Sequence, residues 1–179
     1  SVNKRDGYTD NLAGGPSLND RDRWSIRGQA LWQPTDSLEL RLIADMDEID
    51  EVCCTVLNAG EEPFNFVDGG PTPSEIVNAL GGDKNAPGAF EFEVFQDVTP
   101  VNEITNDGVS LQADWNITDN IDFTSITAFR TKDESSSFEG DFTTLEILNP
   151  VIRTLDTETF TQEFRFVGET DRFSWLVGG

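Results

Sequence analysis

Apolar residues recur at every second position through much of the chain, and the 3.6-residue spacing of an amphipathic helix is scarce. The first clear run is Arg23 to Gln33. Trp24, Ile26, Gly28, Ala30 and Trp32 share one parity; Arg23, Ser25, Arg27, Gln29 and Gln33 share the other, with Leu31 out of pattern. Such alternation predicts a strand with one apolar and one polar face. Pro34-Thr35-Asp36 has turn composition. A second strand starts at Ser37. Leu38, Leu40, Leu42, Ala44 and Met46 lie on one side; Glu39, Arg41, Asp45, Asp47 and the exceptional Ile43 lie on the other. A third strand, from about Gly108 to Ile117, sets Val109, Leu111, Ala113, Trp115 and Ile117 against Ser110, Gln112, Asp114 and Asn116.

Thr118-Asp119-Asn120 is again a short turn. The fourth strand, Ile121 to about Thr131, alternates less cleanly. Ile121, Phe123 and Phe129 share a parity that Ile126 and Ala128 lack, so it carries either a bulge or apolar contacts on both faces. A fifth strand, Thr157 to Val167, aligns Phe160, Phe164 and Phe166 opposite Thr159, Thr161, Glu163 and Arg165. Gly168-Glu169-Thr170-Asp171 turns into a sixth, where Phe173, Trp175 and Val177 alternate with Ser174. Ser1–Asp6 offers a seventh. The ends carry neither a starting Met nor an apolar leader after Lys4-Arg5, and the expectation is a piece of a longer β-protein.

The connections alternate in length. Short turns at 34–36, 118–120 and 168–171 fall between long loops at about 7–22, 50–106 and 132–156. Short turns on one side and long loops on the other suit an up-and-down membrane barrel. Strand length agrees: the 11 residues of Arg23–Gln33 rise roughly 26 Å at about 45° tilt, against an apolar band about 25 Å tall. A soluble β-sandwich also alternates. Against it, Trp24, Trp32, Trp115 and Trp175 all lie on apolar faces, three of them close to strand ends, which suits an interfacial aromatic girdle. The expected fold class is all-β: an antiparallel up-and-down meander of about six to seven strands, a segment of a larger transmembrane β-barrel. One short helix is expected in the longest loop, at about 73–80. There Thr72-Pro73-Ser74-Glu75 has the form of a capping box with Pro at the first helical position, and Gly81-Gly82 stops the run.

Composition narrows the chemistry. The chain has 179 residues, 34 acidic and 12 basic, no His, and a formal charge of −22. That charge repels phosphate backbones and argues against nucleic-acid binding. The absence of His removes His-based triads, His-ligated zinc and haem, and His acid–base catalysis. Aromatics at 10% argue against wholesale disorder.

Several segments resemble barrel strands of TonB-dependent receptors. They are Asn19-Asp20-Arg21-Asp22-Arg23-Trp24-Ser25-Ile26-Arg27-Gly28-Gln29, followed by Leu31-Trp32-Gln33-Pro34-Thr35-Asp36; Phe123-Thr124-Ser125-Ile126-Thr127-Ala128-Phe129-Arg130; and Phe160-Thr161-Gln162-Glu163-Phe164-Arg165-Phe166, followed by Trp175-Leu176-Val177-Gly178-Gly179. They span nearly the whole chain in the order such receptors use, and the expected domain is residues 1–179, a partial receptor barrel. The resemblance implies an active transporter in the outer membrane of a Gram-negative bacterium, importing a siderophore, vitamin or glycan-type ligand such as an oligosaccharide. It also implies contact with outer-membrane lipid and lipopolysaccharide, and with the TonB complex through a plug region. The chain holds no plug domain and no TonB box, its barrel is incomplete, and alone it is not expected to transport. The alternative is a secreted acidic β-sandwich module binding glycan or calcium.

No catalytic, cofactor-binding or metal-ligating set emerges, and no enzyme activity is expected. Loop 50–106 holds eleven acids and one base, Lys84. A cation-holding capture loop is one reading; the favoured one is a solvated acidic surface facing lipopolysaccharide, since no spacing matches a calcium loop. Pairs such as Glu61-Glu62 and Glu91/Glu93 arise from composition alone. Gly69-Gly70 and Gly81-Gly82 lack the lysine and strand–helix context of a phosphate loop. Cys53-Cys54 allows a strained ring between neighbours or a partner elsewhere in the parent. Asp50 and Glu51 nearby disfavour a reactive thiolate.

Overall fold

The structure, a computed structural model, describes residues 1–57, 68–84, 91–148 and 150–179. Its strands are β1 (Val2–Arg5), β2 (Asp10–Asn11), β3 (Arg21–Thr35), β4 (Leu38–Glu51), β5 (Glu93–Val94), β6 (Val101–Thr118), β7 (Ile121–Phe138), β8 (Val151–Glu169) and β9 (Ser174–Gly178), with one helix, α1 (Pro73–Ala79). Seven strands form one antiparallel sheet in the order β1-β3-β4-β6-β7-β8-β9. Each long strand therefore pairs with its neighbour along the chain, as the alternating short and long connections predict. The sheet is open, because β1 and β9 do not pair.

The register carries the sequence parity across the sheet. One row runs Gly28–Ala44–Val109–Phe129–Phe160, and the next Ala30–Leu42–Leu111–Thr127–Gln162. Every residue placed on an apolar face by alternation in β3, β4 and in β6 through Trp115 shares a single face of the sheet, called here the outward face. The irregularity of the fourth strand is settled against a bulge. β7 pairs without a register shift from Ile121 to Phe138, so Ile126 and Ala128 point to the polar face, opposite Glu163 and Thr161. Register shifts occur instead beside the turns, at Trp32/Thr35 and Asn116/Thr118. The first coincides with Pro34, which has no N–H for the ladder.

The strand limits differ from expectation. β6 begins at Val101 rather than Gly108, β7 continues past Thr131 to Phe138, and β8 begins at Val151 rather than Thr157. The loops expected at 50–106 and 132–156 shrink accordingly to 52–100 and 139–150. The few apolar residues of these added stretches, Val101, Ile104, Phe138, Val151, Ile152 and Leu155, fall on both faces without period-2 alternation, so no local pattern marks them as strand. The loop expected at 7–22 yields to β2 and to the start of β3. The tight turns narrow to Asp36–Ser37 and Asp119–Asn120. The last turn moves past Glu169, and β9 starts at Ser174 rather than Phe173.

Side-chain burial is confined to the long-loop end. Among the described residues the buried apolar side chains are Leu18, Cys53, Val77 and Val94, and none lies on the seven-stranded sheet. β2 and β5 pair in parallel there. Asn11 binds the Gln96 backbone in both directions, at 2.9 and 3.1 Å. Tyr8 meets Phe92 edge to face. The helix forms as predicted. Thr72 caps it, the Thr72–Glu75 capping box is closed, Pro73 opens it, and Gly81 follows at φ +81°.

Candidate functional site: two faces and a loop cluster

The outward face is an apolar field with polar margins. Along β3 and β4 it is apolar over nine residues each, Trp24–Trp32 and Leu38–Met46, and along β6 over seven, Val109–Trp115. Nine residues span roughly 27 Å along a strand, or roughly 19–22 Å along a barrel axis at 35–45° tilt. The side chains are uncovered: Trp32 is 63% exposed and Phe160 67%. Those two alone leave on the order of 200 Å² of aromatic surface open, and Leu42, Val109, Leu111, Trp115, Phe129 and Phe164 add to the same patch. Water-soluble monomers rarely expose apolar patches beyond about 300–600 Å².

The turn-side margin of this field is aromatic. Trp32, Trp115, Phe123, Phe164, Phe166 and Trp175 gather there, with Phe123 4.7 Å from Phe166 and 6.0 Å from Phe164. The ring of Trp175 lies on Gly168, where an added Cβ would collide with it. Only one polar patch interrupts the field among the described residues. The Thr127 hydroxyl donates to Gln162 Oε1 (2.6 Å), and Gln162 Nε2 donates to Ser125 Oγ (3.1 Å). These groups satisfy one another, as polar groups away from water must.

The loop-side margin is acidic. Asp22, Glu48, Asp50, Glu103, Asp107, Asp133, Asp156 and Glu158 lie on the outward face there, with Lys4 the one base. The opposite face carries nine of the twelve bases: Arg5, Arg21, Arg23, Arg27, Arg41, Arg130, Lys132, Arg153 and Arg165. Seven of these form ion pairs, four of them across strands (Arg21, Arg23, Arg130 and Arg153). Arg23 forks onto buried Glu51 with two bonds of 2.8 Å. Lys132 and Arg153 converge on Glu134. Arg130 reaches Asp45 two strands away (2.7 Å) by lying across Gly108, whose missing side chain leaves the guanidinium room.

The loop cluster holds the residues that sequence singled out for chemistry. Cys53 and Cys54 are bonded to each other, the neighbour ring of the two alternatives. Cys54 sits at φ +80° with its N–H on Asn19 Oδ1 (3.0 Å). Glu91 and Glu93 are exposed and share no partner site; Glu61 and Glu62 lie outside the described residues. Among the described residues no group of three or more acids or cysteines is placed to hold a metal ion. Gly69 and Gly81 adopt left-handed turns. The residue that sequence did not indicate is Glu139, 1% exposed, whose carboxylate accepts the N–H of Val98 and of Asp141, each at 3.2 Å. Burial, then the facing Asp97 carboxyl, push its pKa above the usual value.

No known protein family, curated protein or solved structure matches the chain. Among the described residues no helix is long and apolar enough to cross a membrane; strands cross by a different pattern.

Proposed function

We propose that this chain is a stretch of the β-barrel of a TonB-dependent active transporter in the outer membrane of a Gram-negative bacterium, importing a siderophore, vitamin or glycan-type ligand. The observation that carries the membrane part is the uncovered apolar field on one face of a neighbour-paired meander, backed by a polar, charge-paired face. In a barrel the first face meets lipid and the second lines the lumen. Tryptophan and phenylalanine at the turn-side margin then lie at one membrane interface, and the long loops with their buried cluster lie outside. The barrel strands that the family uses on either side would also pair the backbone left open along β3 beyond Ser25 and along β8 before Phe164. The receptor assignment rests on the resemblance of the strand sequences; ligand capture by the loops and the polar face, and TonB-driven passage, come with it.

All four tryptophans face outward, so the native chain carries its own probe. Refolded into bilayers with brominated acyl chains, it should lose most of its tryptophan emission, while acrylamide in the water quenches little. Emission untouched by the brominated lipid, from a chain that is compact and monomeric without detergent, would sink the membrane reading and leave the secreted acidic β-sandwich.

A further inference from the structure

The polar face of the sheet is divided by charge along its strands. Its loop-end half runs down to the row Arg27–Asp45–Gly108–Arg130–Thr159. That half holds seven of the nine bases but only four acids, Asp45, Asp47, Glu51 and Glu134. The next row, Gln29–Ile43–Ser110–Ala128–Thr161, carries no charge. The turn-end half sets Arg41 and Arg165 against five acids, Glu39, Asp114, Asp122, Glu163 and Glu169. An excess of three positive charges at the loop end thus stands against an excess of three negative charges at the turns. The chain has 34 acids for 12 bases, so carboxylates are not scarce. They are sparse on this half of the polar face, while eight of them line the loop-side margin of the outward face.

The uncompensated charge lies on β1 and β3. Arg5 and Arg21 are direct partners across these strands, and like charges directly opposite each other repel. The carboxylate that Arg21 approaches is Glu51, whose two oxygens are already taken by the Arg23 fork. Glu51 stands 4.0 Å from Arg21 Nε, beyond hydrogen-bond reach, and that Nε–H makes no hydrogen bond. Arg5 is held in place without a counter-charge. Its guanidinium donates to the Asn19 carbonyl (3.0 Å) and lies 4.8 Å from the centre of the Tyr8 ring. Arg27 follows about 20 Å further along β3. It makes no ion pair among the described residues, because its partner in register, Asp45, is taken by Arg130.

We propose that the Arg5–Arg21 pair binds an anionic group of a ligand, a carboxylate or a phosphate, which enters between the two guanidiniums and relieves their repulsion. Guanidinium forks match the oxygens of both groups. The positive half continues to Arg27, so a ligand with several anionic groups fits better than one with a single group. As an anion site, the pair stands on the geometry of β1 and β3 alone. As the ligand site of a transporter, it rests on the function proposed above, in which the polar face lines the lumen, and it selects acidic ligands over uncharged glycans.

The test is a titration of the full chain, refolded in nonionic detergent micelles at neutral pH. The probes are citrate, inorganic phosphate and uncharged maltotriose, at constant ionic strength set with sodium chloride. The NMR signals of the arginine side-chain Nε–H groups are the readout. Citrate should shift the Arg5 and Arg21 signals saturably, and maltotriose should not shift them. Saturation by phosphate alone keeps the site and makes phosphate its ligand group. Arg5→Gln or Arg21→Gln should each raise the half-saturation concentration about tenfold, whereas Arg165→Gln in the turn-end half should leave it unchanged; the β6 and β7 amides check that each variant is folded. Shifts that grow with every anion alike and never saturate would overturn the site, as would a response that Arg165→Gln weakens as much as Arg21→Gln does. Citrate binding by a chain that brominated lipid does not quench keeps the site and sinks the barrel; quenching without anion binding does the reverse.

Discussion

The sheet and the loop cluster solve burial in opposite ways. The loop cluster has an interior of its own: Leu18, Val77 and Val94 are buried, and polar residues among them, such as Thr143 and Glu139, are hydrogen-bonded. The sheet has seven strands and no buried apolar side chain. It nevertheless carries most of the large apolar residues, none of them buried. A chain that can build a small core in its loops is not short of the means to cover a sheet. The bare face is better explained by a cover outside the chain, and lipid is the cover that the proposed barrel supplies.

The sharpest way to break that comparison is charge on the bare face. Leu111→Arg or Leu42→Arg, paired neighbours in mid-band, should cost about 2–4 kcal/mol in bilayers, while Ser110→Arg on the polar face should be tolerated. Urea unfolding from vesicles measures both, and equal costs would undo the assignment of faces. Glu51→Ala should come next, at about 1–3 kcal/mol. It strips the partner from Arg23 at the joint between sheet and loops, and the loss should appear in exchange of residues 19–23 and 50–54. Thr72→Ala should cost about 1 kcal/mol, confined to the amides of α1 if the loop cluster is energetically separate. Gly108→Ala is smallest. Its Cβ displaces only the end of the Arg130 side chain, so the loss should stay below about 1 kcal/mol. It should vanish when Arg130 is already replaced by Met; a persistent loss in that double variant would mean that the backbone, and not the ion pair, needs glycine there.

Sequence made the apolar-band portions of the strands legible because period-2 alternation is a local signal, and lipid and water faces both preserve it. The helix was legible for the same reason: Thr72, Pro73 and Glu75 act within one turn. The extensions at 101–107, 132–138 and 151–156 were hidden, since a strand whose apolar residues follow no period-2 pattern looks like a loop until its partners are known. The loop interior was hidden too. Leu18, Val94 and Glu139 lie far apart in sequence, and nothing local marks a glutamate for burial. Gly108 did leave a trace, as glycine inside a strand often marks a close approach, but the residue approaching it, Arg130, is 22 positions away.

Pairing between chain neighbours also sets an order of assembly. The β3–β4 and β6–β7 hairpins close over turns of two residues, Asp36–Ser37 and Asp119–Asn120, an event on the scale of about 1–10 μs for an isolated hairpin. Joining them through β4 and β6 must close the 49 residues from 52 to 100, whereas β7 and β8 are separated by the 12 residues from 139 to 150. Chain entropy makes the longer closure dearer by about 1.2 kcal/mol. The seam between β4 and β6 is therefore the last of these to zip, and the loop cluster that bridges it, fastened by its own small core, completes itself only after the two halves of the sheet have met.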